Sequence, residues 1–194
     1  LRSGKASMAT DHIERFTETG IQLKSGEHLD ADIVVTATGL DVQMLGGVKM
    51  TVDGEPVPVN QLLTYKGVLV EGVPNAAIVF GYTNIAWTLK ADIASEYVCR
   101  LLNHMARKGY TRVVQRDHGD HRTEDTILGA LSSGYIRRSA DRLPRQGSGA
   151  PWAVRQDYVR DAPVLRYGAI EDDCLEFQRG APDLEAAPLR AAHG

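Results

Sequence analysis

The stretch Val79-Phe80-Gly81-Tyr82-Thr83-Asn84-Ile85-Ala86-Trp87-Thr88-Leu89-Lys90 passes from a short apolar segment through a glycine and a polar loop into a helical pattern. Downstream, Leu89, Ile93, Tyr97, Leu101 and Met105 recur at every fourth position, Ala94, Val98 and Leu102 widen the stripe, and Gly109 supplies a stop. So broad an apolar face predicts a long helix packed against a large body. A helix start carries unpaired N–H groups and a partial positive charge, so it can hold an anion or the polarised carbonyl of a cofactor. Gly81 would let a ligand approach closely. The plainer alternative is an ordinary strand-to-helix turn in which Thr83 or Asn84 only caps the helix.

Working outward, Ala76-Ala77-Ile78-Val79-Phe80-Gly81 reads as a buried strand ending in glycine. Further upstream, residues 12–18 and 20–24 roughly alternate apolar with polar side chains around a Glu18-Thr19-Gly20 turn, which predicts two half-buried antiparallel strands. After a second turn at Ser25-Gly26-Glu27, the run Asp32-Ile33-Val34-Val35-Thr36-Ala37-Thr38-Gly39 predicts a strand buried on both faces. Its small C-terminal residues, Thr38 and Gly39, fall where open α/β sheets bind ligands, although a strand can also end in glycine simply to turn. Between Gly46 and Gly72, the pairs Gly46-Gly47 and Asp53-Gly54 with Pro56 and Pro58 predict short strands and turns.

Beyond Gly109 the reading is a short strand near Arg112-Val113-Val114, a helix near Thr126 to Leu131, and an extended arm held by Trp152, Tyr158 and Tyr167. Asp117-His118-Gly119-Asp120-His121 gathers metal-ligating types, but its glycine and flanking arginines favour a solvated loop. Cys99 reads as a small core residue of the long helix. The arginines from Arg137 to Arg166 are interleaved with Asp141, Asp157 and Asp161, so salt bridges anchoring the arm explain them better than a phosphate-binding face.

Composition narrows the function classes. The 194 residues are 43% hydrophobic, which is enough for a core and argues against disorder. Lys+Arg 22 against Asp+Glu 25 gives a net charge of -3, so bulk attraction to nucleic acid is absent. Two cysteines cannot build a disulfide scaffold, and no run reaches the roughly 18 to 20 apolar residues of a membrane span. A reduced, cytoplasmic protein is the expectation. No Gly-x-Gly-x-x-Gly, Walker loop, Gly-x-Ser-x-Gly elbow or Cys-x-x-Cys occurs.

Taken together, these motifs resemble the C-terminal part of class B flavoprotein monooxygenases, the Baeyer-Villiger and flavin-containing monooxygenase group. The residues carrying the resemblance are Asp30 to Leu40, Gly81-Tyr82-Thr83-Asn84 and Trp87-Thr88-Leu89-Lys90-Ala91-Asp92. Ser133 to Ile136, Leu143 to Ser148 and Ala150-Pro151-Trp152 resemble the C-terminal arm of the ethionamide-activating type. The likeness runs from about His12 to Phe177. Ile85 and Ala86 depart from it, since Ala and Ser are more usual there.

The resemblance implies an α/β fold: the C-terminal portion of a flavoprotein with two dinucleotide-binding domains, comprising a β-meander, buried strands, one long helix and an extended arm. It implies that residues 1–45 end the NADPH-binding domain, 46–109 belong to the FAD-binding domain, 110–180 form the arm and 181–194 a flexible tail. Thr38, Gly39, Gly81, Thr83, Asn84, Trp87, Thr88 and Leu89 are the implied cofactor-binding residues, with the Thr88-Leu89 backbone near the pyrimidine edge of the flavin. The implied reaction uses FAD, NADPH and O2 to insert one oxygen atom into a ketone or onto the sulfur of a thioether or thioamide. Catalytic residues and phosphate loops would then lie in a missing N-terminal portion, leaving the isolated chain colourless and inactive. The competing expectations are a non-catalytic truncation acting as an interaction module and a related flavin-dependent reductase.

Overall fold

A computed structural model describes residues 1–119, 121–131 and 133–180. The chain divides into two compact units, Leu1–Gly39 and Leu40 onward. In the first, β1 (Ile13–Thr17), β2 (Gly20–Leu23) and β3 (His28–Asp30) form an antiparallel meander in the order β1-β2-β3. The alternating pattern and the two glycine turns foretold the first pair. Ile13 and Phe16 on β1 nevertheless remain exposed.

The second unit opens with short elements, as its glycines and prolines predict: a 3-10 turn at Met44–Gly47, the hairpin β4 (Thr51–Val52) and β5 (Glu55–Pro56), a 3-10 turn at Val59–Gln61, and the hairpin β6 (Thr64–Tyr65) and β7 (Leu69–Val70). The long helix α1 spans Trp87–Lys108. Gly109 ends it at φ 69°, a left-handed conformation that glycine adopts without a Cβ penalty, and the Tyr110 amide donates to the Met105 carbonyl. There follow β8 (Arg112–Gln115), β9 (Arg122–Thr126), α2 (Gly134–Arg138), a 3-10 turn at Ala140–Arg142, β10 (Arg145–Gly147), α3 (Tyr158–Tyr167) and β11 (Leu175–Gln178). Strand β8 pairs antiparallel with β11, and β9 with β10.

The main core forms where Ile93, Ala94, Tyr97, Leu101 and Met105 of α1 meet Ala162 and Leu165 of α3, with Trp152, Tyr65, Val113 and Leu175 filling the remaining space. Trp152 is fully buried and stands edge-on to Tyr65, 5.7 Å between ring centroids. Polar links reinforce the helix pair. Arg166 donates to Glu96 (2.7 Å) and Asp92 (2.9 Å), as expected for arginines that tie the arm down. A smaller core gathers Ile127, Leu128, Ile136 and Leu143.

Five expectations need correction. Asp32 to Gly39 forms no strand: Ile33 and Val35 are 81% and 82% exposed, and no backbone hydrogen bond joins the run to another segment among the described residues. A strand needs a neighbouring backbone, and none is offered. Ala76 to Gly81 likewise gains only a bridge from Ala77 to Leu69 and a bond from the Ile78 amide to Val68, and Val79 stays exposed. Thr126 to Leu131 is the end of β9 followed by tight turns, because the Ile127 amide donates to Pro144 and Ile127 with Leu128 turns into the smaller core. Cys99 is exposed, since it lies two residues from both Tyr97 and Leu101 and so on the opposite side of the helix from the buried face they define. Tyr167 is 81% exposed and holds nothing, and α3 stands where an extended arm was expected. The 181–194 tail lies outside the described residues.

Candidate functional site

The loop from Gly81 to Ala86 delivers the chain into α1, and its residues do quite different jobs. Gly81 is buried, and the space its Cβ would need is filled by the Trp87 indole, 1.9 Å from the ideal Cβ position. Glycine is therefore required so that the loop can fold back under the first helical residue. Tyr82 is buried and donates its hydroxyl to Asp161 of α3 at 2.8 Å. Burial, followed by that hydrogen bond, pushes the Tyr82 phenol well above its ordinary value, so it remains a donor. Thr83 and Asn84 turn away from the helix toward the segment before α3. The Thr83 amide and hydroxyl donate to Gln156 Oε1 at 2.8 and 3.1 Å, and Asn84 Nδ2 donates to the Gln156 carbonyl at 2.9 Å.

Neither Thr83 nor Asn84 caps the helix, then, as the plainer reading of the sequence expected. The N-cap position falls to Ala86, which has no side-chain oxygen, and no side-chain cap is made there. Trp87 and Leu89 are 50% and 37% exposed, and Thr88 is exposed with them. The opening turn of a 22-residue helix thus presents uncapped N–H groups beside two apolar side chains. Its macrodipole amounts to roughly +0.5 of an elementary charge.

One turn further in, Lys90 is buried beneath this surface. Its Nζ lies 2.7 Å from Asp161 Oδ2 and 5.5 Å from the Tyr82 ring centroid. Asp161 therefore accepts from both Tyr82 and Lys90, locking the loop and the first turn of α1 to α3. Beside this network is a cleft of about 110 Å³ lined in part by Lys66, Lys90, Ala153, Arg155 and Asp161. That is below the roughly 300–1,000 Å³ of ligand pockets, so this cleft by itself is too small for a cofactor.

Six of the residues singled out in the sequence, Gly81, Thr83, Asn84, Trp87, Thr88 and Leu89, thus share one loop and helix start. Thr38 and Gly39 belong to the first unit, where both are exposed and Gly39 takes φ 95°. Sequence reasoning missed Gln156, Asp161 and Lys90. Lys90 could have been found, as a lysine one residue after Leu89 and close to the apolar stripe. Gln156 lies 73 residues from Thr83 and carries no local signal.

The chain is 51% identical over 185 residues to the "Probable FAD-binding monooxygenase AlmA" of Acinetobacter baylyi, 95% of this chain and 37% of that protein. It is 49% identical over 184 residues to the FAD-containing monooxygenase EthA of Mycobacterium tuberculosis, 94% of this chain and 37% of that protein. This chain is homologous to part of the FAD-containing monooxygenases. A further relative, EthA of Mycolicibacterium smegmatis, is 47% identical over 179 residues, 92% of this chain and 36% of that protein. The chain spans a little over a third of the length of these enzymes. No protein-family model matches it, and no solved structure does.

The helix opening fits an electron-rich, partly apolar group such as a flavin ring. Its amides are uncapped, and Trp87 and Leu89 supply apolar surface on the same face. Among the described residues no helix is long and apolar enough to cross a membrane, and no group of metal-ligating side chains converges. Asp120, part of the Asp117 to His121 cluster, lies outside the described residues.

Proposed function

We propose that this chain is the C-terminal part of an NADPH- and FAD-dependent monooxygenase that places one oxygen atom from O2 into a ketone or onto the sulfur of a thioether or thioamide. The observation that carries the reading is the uncapped, exposed opening of α1 in a chain about half identical to FAD-containing monooxygenases. Under it, residues 1–45 end the NADPH-binding domain, 46–109 complete the FAD-binding domain and 110–180 form a supporting arm. Thr38, Gly39, Gly81, Thr83, Asn84, Trp87, Thr88 and Leu89 are the residues assigned to the cofactor.

When bound, FAD supplies the electron transfer and oxygen activation, which no protein side chain provides. The chain's own residues orient and shield. The amides of Trp87 and Thr88 would donate toward an electron-rich edge, and the alignment of peptide dipoles along α1 would favour added negative charge there by about 0.3–1 kcal/mol. Trp87 and Leu89 keep water from that edge, which strengthens each hydrogen bond made on it. Gly81 permits the fold-back that puts the indole in place. Lys90, Tyr82 and Asp161 hold the turn rigid, since each satisfies another's polar atoms.

The test is expression of the complete reading frame and measurement of NADPH consumption with and without a ketone and a thioether, products being identified. Substrate-dependent consumption with one oxygen added to the product is the expected result; consumption that yields only reduced oxygen would sink the oxygenation reading. In the same protein, Thr88→Pro removes a first-turn N–H that has no intrahelical partner. It should leave the fold intact and weaken FAD retention.

A further inference from the structure

We propose that Gln156 is a positioning residue for the cofactor-facing start of α1. The proposal rests on the reading just given and extends it to the arm, which no cofactor assignment includes.

Three hydrogen bonds converge on this one residue. Its Oε1 accepts from the Thr83 amide (2.8 Å) and the Thr83 hydroxyl (3.1 Å), and its backbone carbonyl accepts from Asn84 Nδ2 (2.9 Å). They grip the loop two and three positions ahead of Ala86, where α1 lacks the side-chain cap that ordinarily fixes how a chain enters a helix. On the far side of the opening turn, Asp161 grips Lys90 at 2.7 Å, and the same carboxylate accepts from Tyr82, just ahead of Thr83, at 2.8 Å. The exposed amides therefore lie between two tethers, both supplied by residues more than seventy positions later in the chain.

The chemistry of the tether matters as much as its place. A helix that capped itself with Ser or Asp would spend a first-turn amide on its own side chain. Here the anchor acts on Thr83, outside the helix, so the loop is fixed while the amides of Trp87 and Thr88 stay free for a ligand and the Leu89 amide donates to the Ala86 carbonyl at 3.2 Å. Gln156 is also neutral. A carboxylate at this position could accept the same bonds but would place a negative charge beside an opening suited to an electron-rich group.

The experiment uses the protein from its complete reading frame, loaded with FAD, with Gln156→Met, Gln156→Glu and Thr88→Pro compared. Amide hydrogen exchange at Thr83 and the FAD dissociation constant are measured for each, with circular dichroism as the fold control. Gln156→Met keeps length and loses the acceptor; Thr83 exchange should rise at least tenfold and FAD should bind about five- to tenfold more weakly, as expected for one or two lost hydrogen bonds. Gln156→Glu retains the acceptor and should hold Thr83 exchange within about twofold of the parent, a rescue by the conservative variant that separates the tether from a general loss of fold. If Gln156→Met proves unfolded, Gln156→Asn keeps the amide but is one carbon shorter and withdraws the acceptor from Thr83, and the same rise in Thr83 exchange with weaker FAD binding is expected. Unchanged Thr83 exchange in Gln156→Met, or raised exchange with unaltered FAD affinity, would overturn the positioning role. Should Thr88→Pro weaken FAD while Gln156→Met does not, only that role fails; if neither changes FAD affinity, the flavin-facing reading falls as well.

Discussion

Helix α3 opens on Asp157, whose carboxylate accepts from the Arg160 amide at 3.2 Å, whereas α1 opens on Ala86, which has no side-chain oxygen and offers its first turn only the backbone carbonyl that accepts from the Leu89 amide. The shorter helix needs the cap, being 10 residues long with Pro163 inside it and so depending on every bond at its ends. The longer one draws its stability from the Ile93, Tyr97, Leu101 and Met105 stripe and can leave its opening amides unspent. A helix start without a cap is affordable only where packing elsewhere carries the helix. In this chain that freedom falls beside Trp87, Thr88 and Leu89.

The largest expected effect comes from cutting the link between the two helices. Asp161→Ala leaves the buried Lys90 ammonium and the Tyr82 hydroxyl without their acceptor, and should destabilise the second unit by about 3 kcal/mol, the usual scale for a buried charge stripped of its partner. Urea unfolding measures it, and Asp161→Asn, which retains an acceptor oxygen, should lose less. A loss under 1 kcal/mol would mean that α1 holds its position without α3.

The next pair exchanges the two openings. Asp157→Ala removes the α3 cap at a cost of about 1 kcal/mol, while Ala86→Ser supplies α1 with one and should gain about 0.5–1 kcal/mol. The φ of -56° and ψ of 125° at Ala86 already suit a cap residue. If the α1 amides serve a ligand, Ala86→Ser should raise the unfolding midpoint and reduce FAD retention together. A stabilised variant with undiminished retention would separate the two.

The smallest effect concerns Asp117, which gathers amides in a loop as Asp157 does at a helix. Burial raises its carboxyl, but the His121 ring at 2.6 Å and the amides of His121 and Gly119 outweigh that and hold it below its ordinary value. A carboxylate depressed on folding stabilises fully above the unfolded value of about pH 4 and loses that contribution as pH falls through its lower folded value. The protection of the Gly119 and His121 amides, relative to their intrinsic exchange rates at each pH, should therefore be steady from neutrality down to about pH 4 and fall below it, a fall that Asp117→Asn should abolish.

What the sequence could disclose depended on how local each cause was. The β1–β2 hairpin and α1 were legible because alternation, the Gly20 turn, the four-residue stripe and the Gly109 stop act over a few neighbours. Helix α3 was not, since Pro163 argues against a helix locally and the contacts that override it, Arg166 to Glu96 and Asp92, reach back about seventy residues. The runs at Asp32–Gly39 and Ala76–Gly81 misled for the opposite reason: their apolar, β-branched residues state a preference for a sheet interior, but a strand forms only where another backbone lies alongside. At the candidate site, the loop residues could be named from their pattern. Their tether to Gln156 and Asp161 could not, because glutamine and aspartate in a polar segment look alike whether they grip a distant loop or face solvent.

The fold-back at Gly81 leaves the chain with two indoles in contrasting surroundings, Trp87 half in water at the mouth of α1 and Trp152 sealed inside the core beside Tyr65. They are the only tryptophans in the sequence. Intrinsic fluorescence should therefore carry two separable signals, a blue-shifted emission that follows the integrity of the interior and a red-shifted one that reports on the rim, open to quenching by anything that settles there.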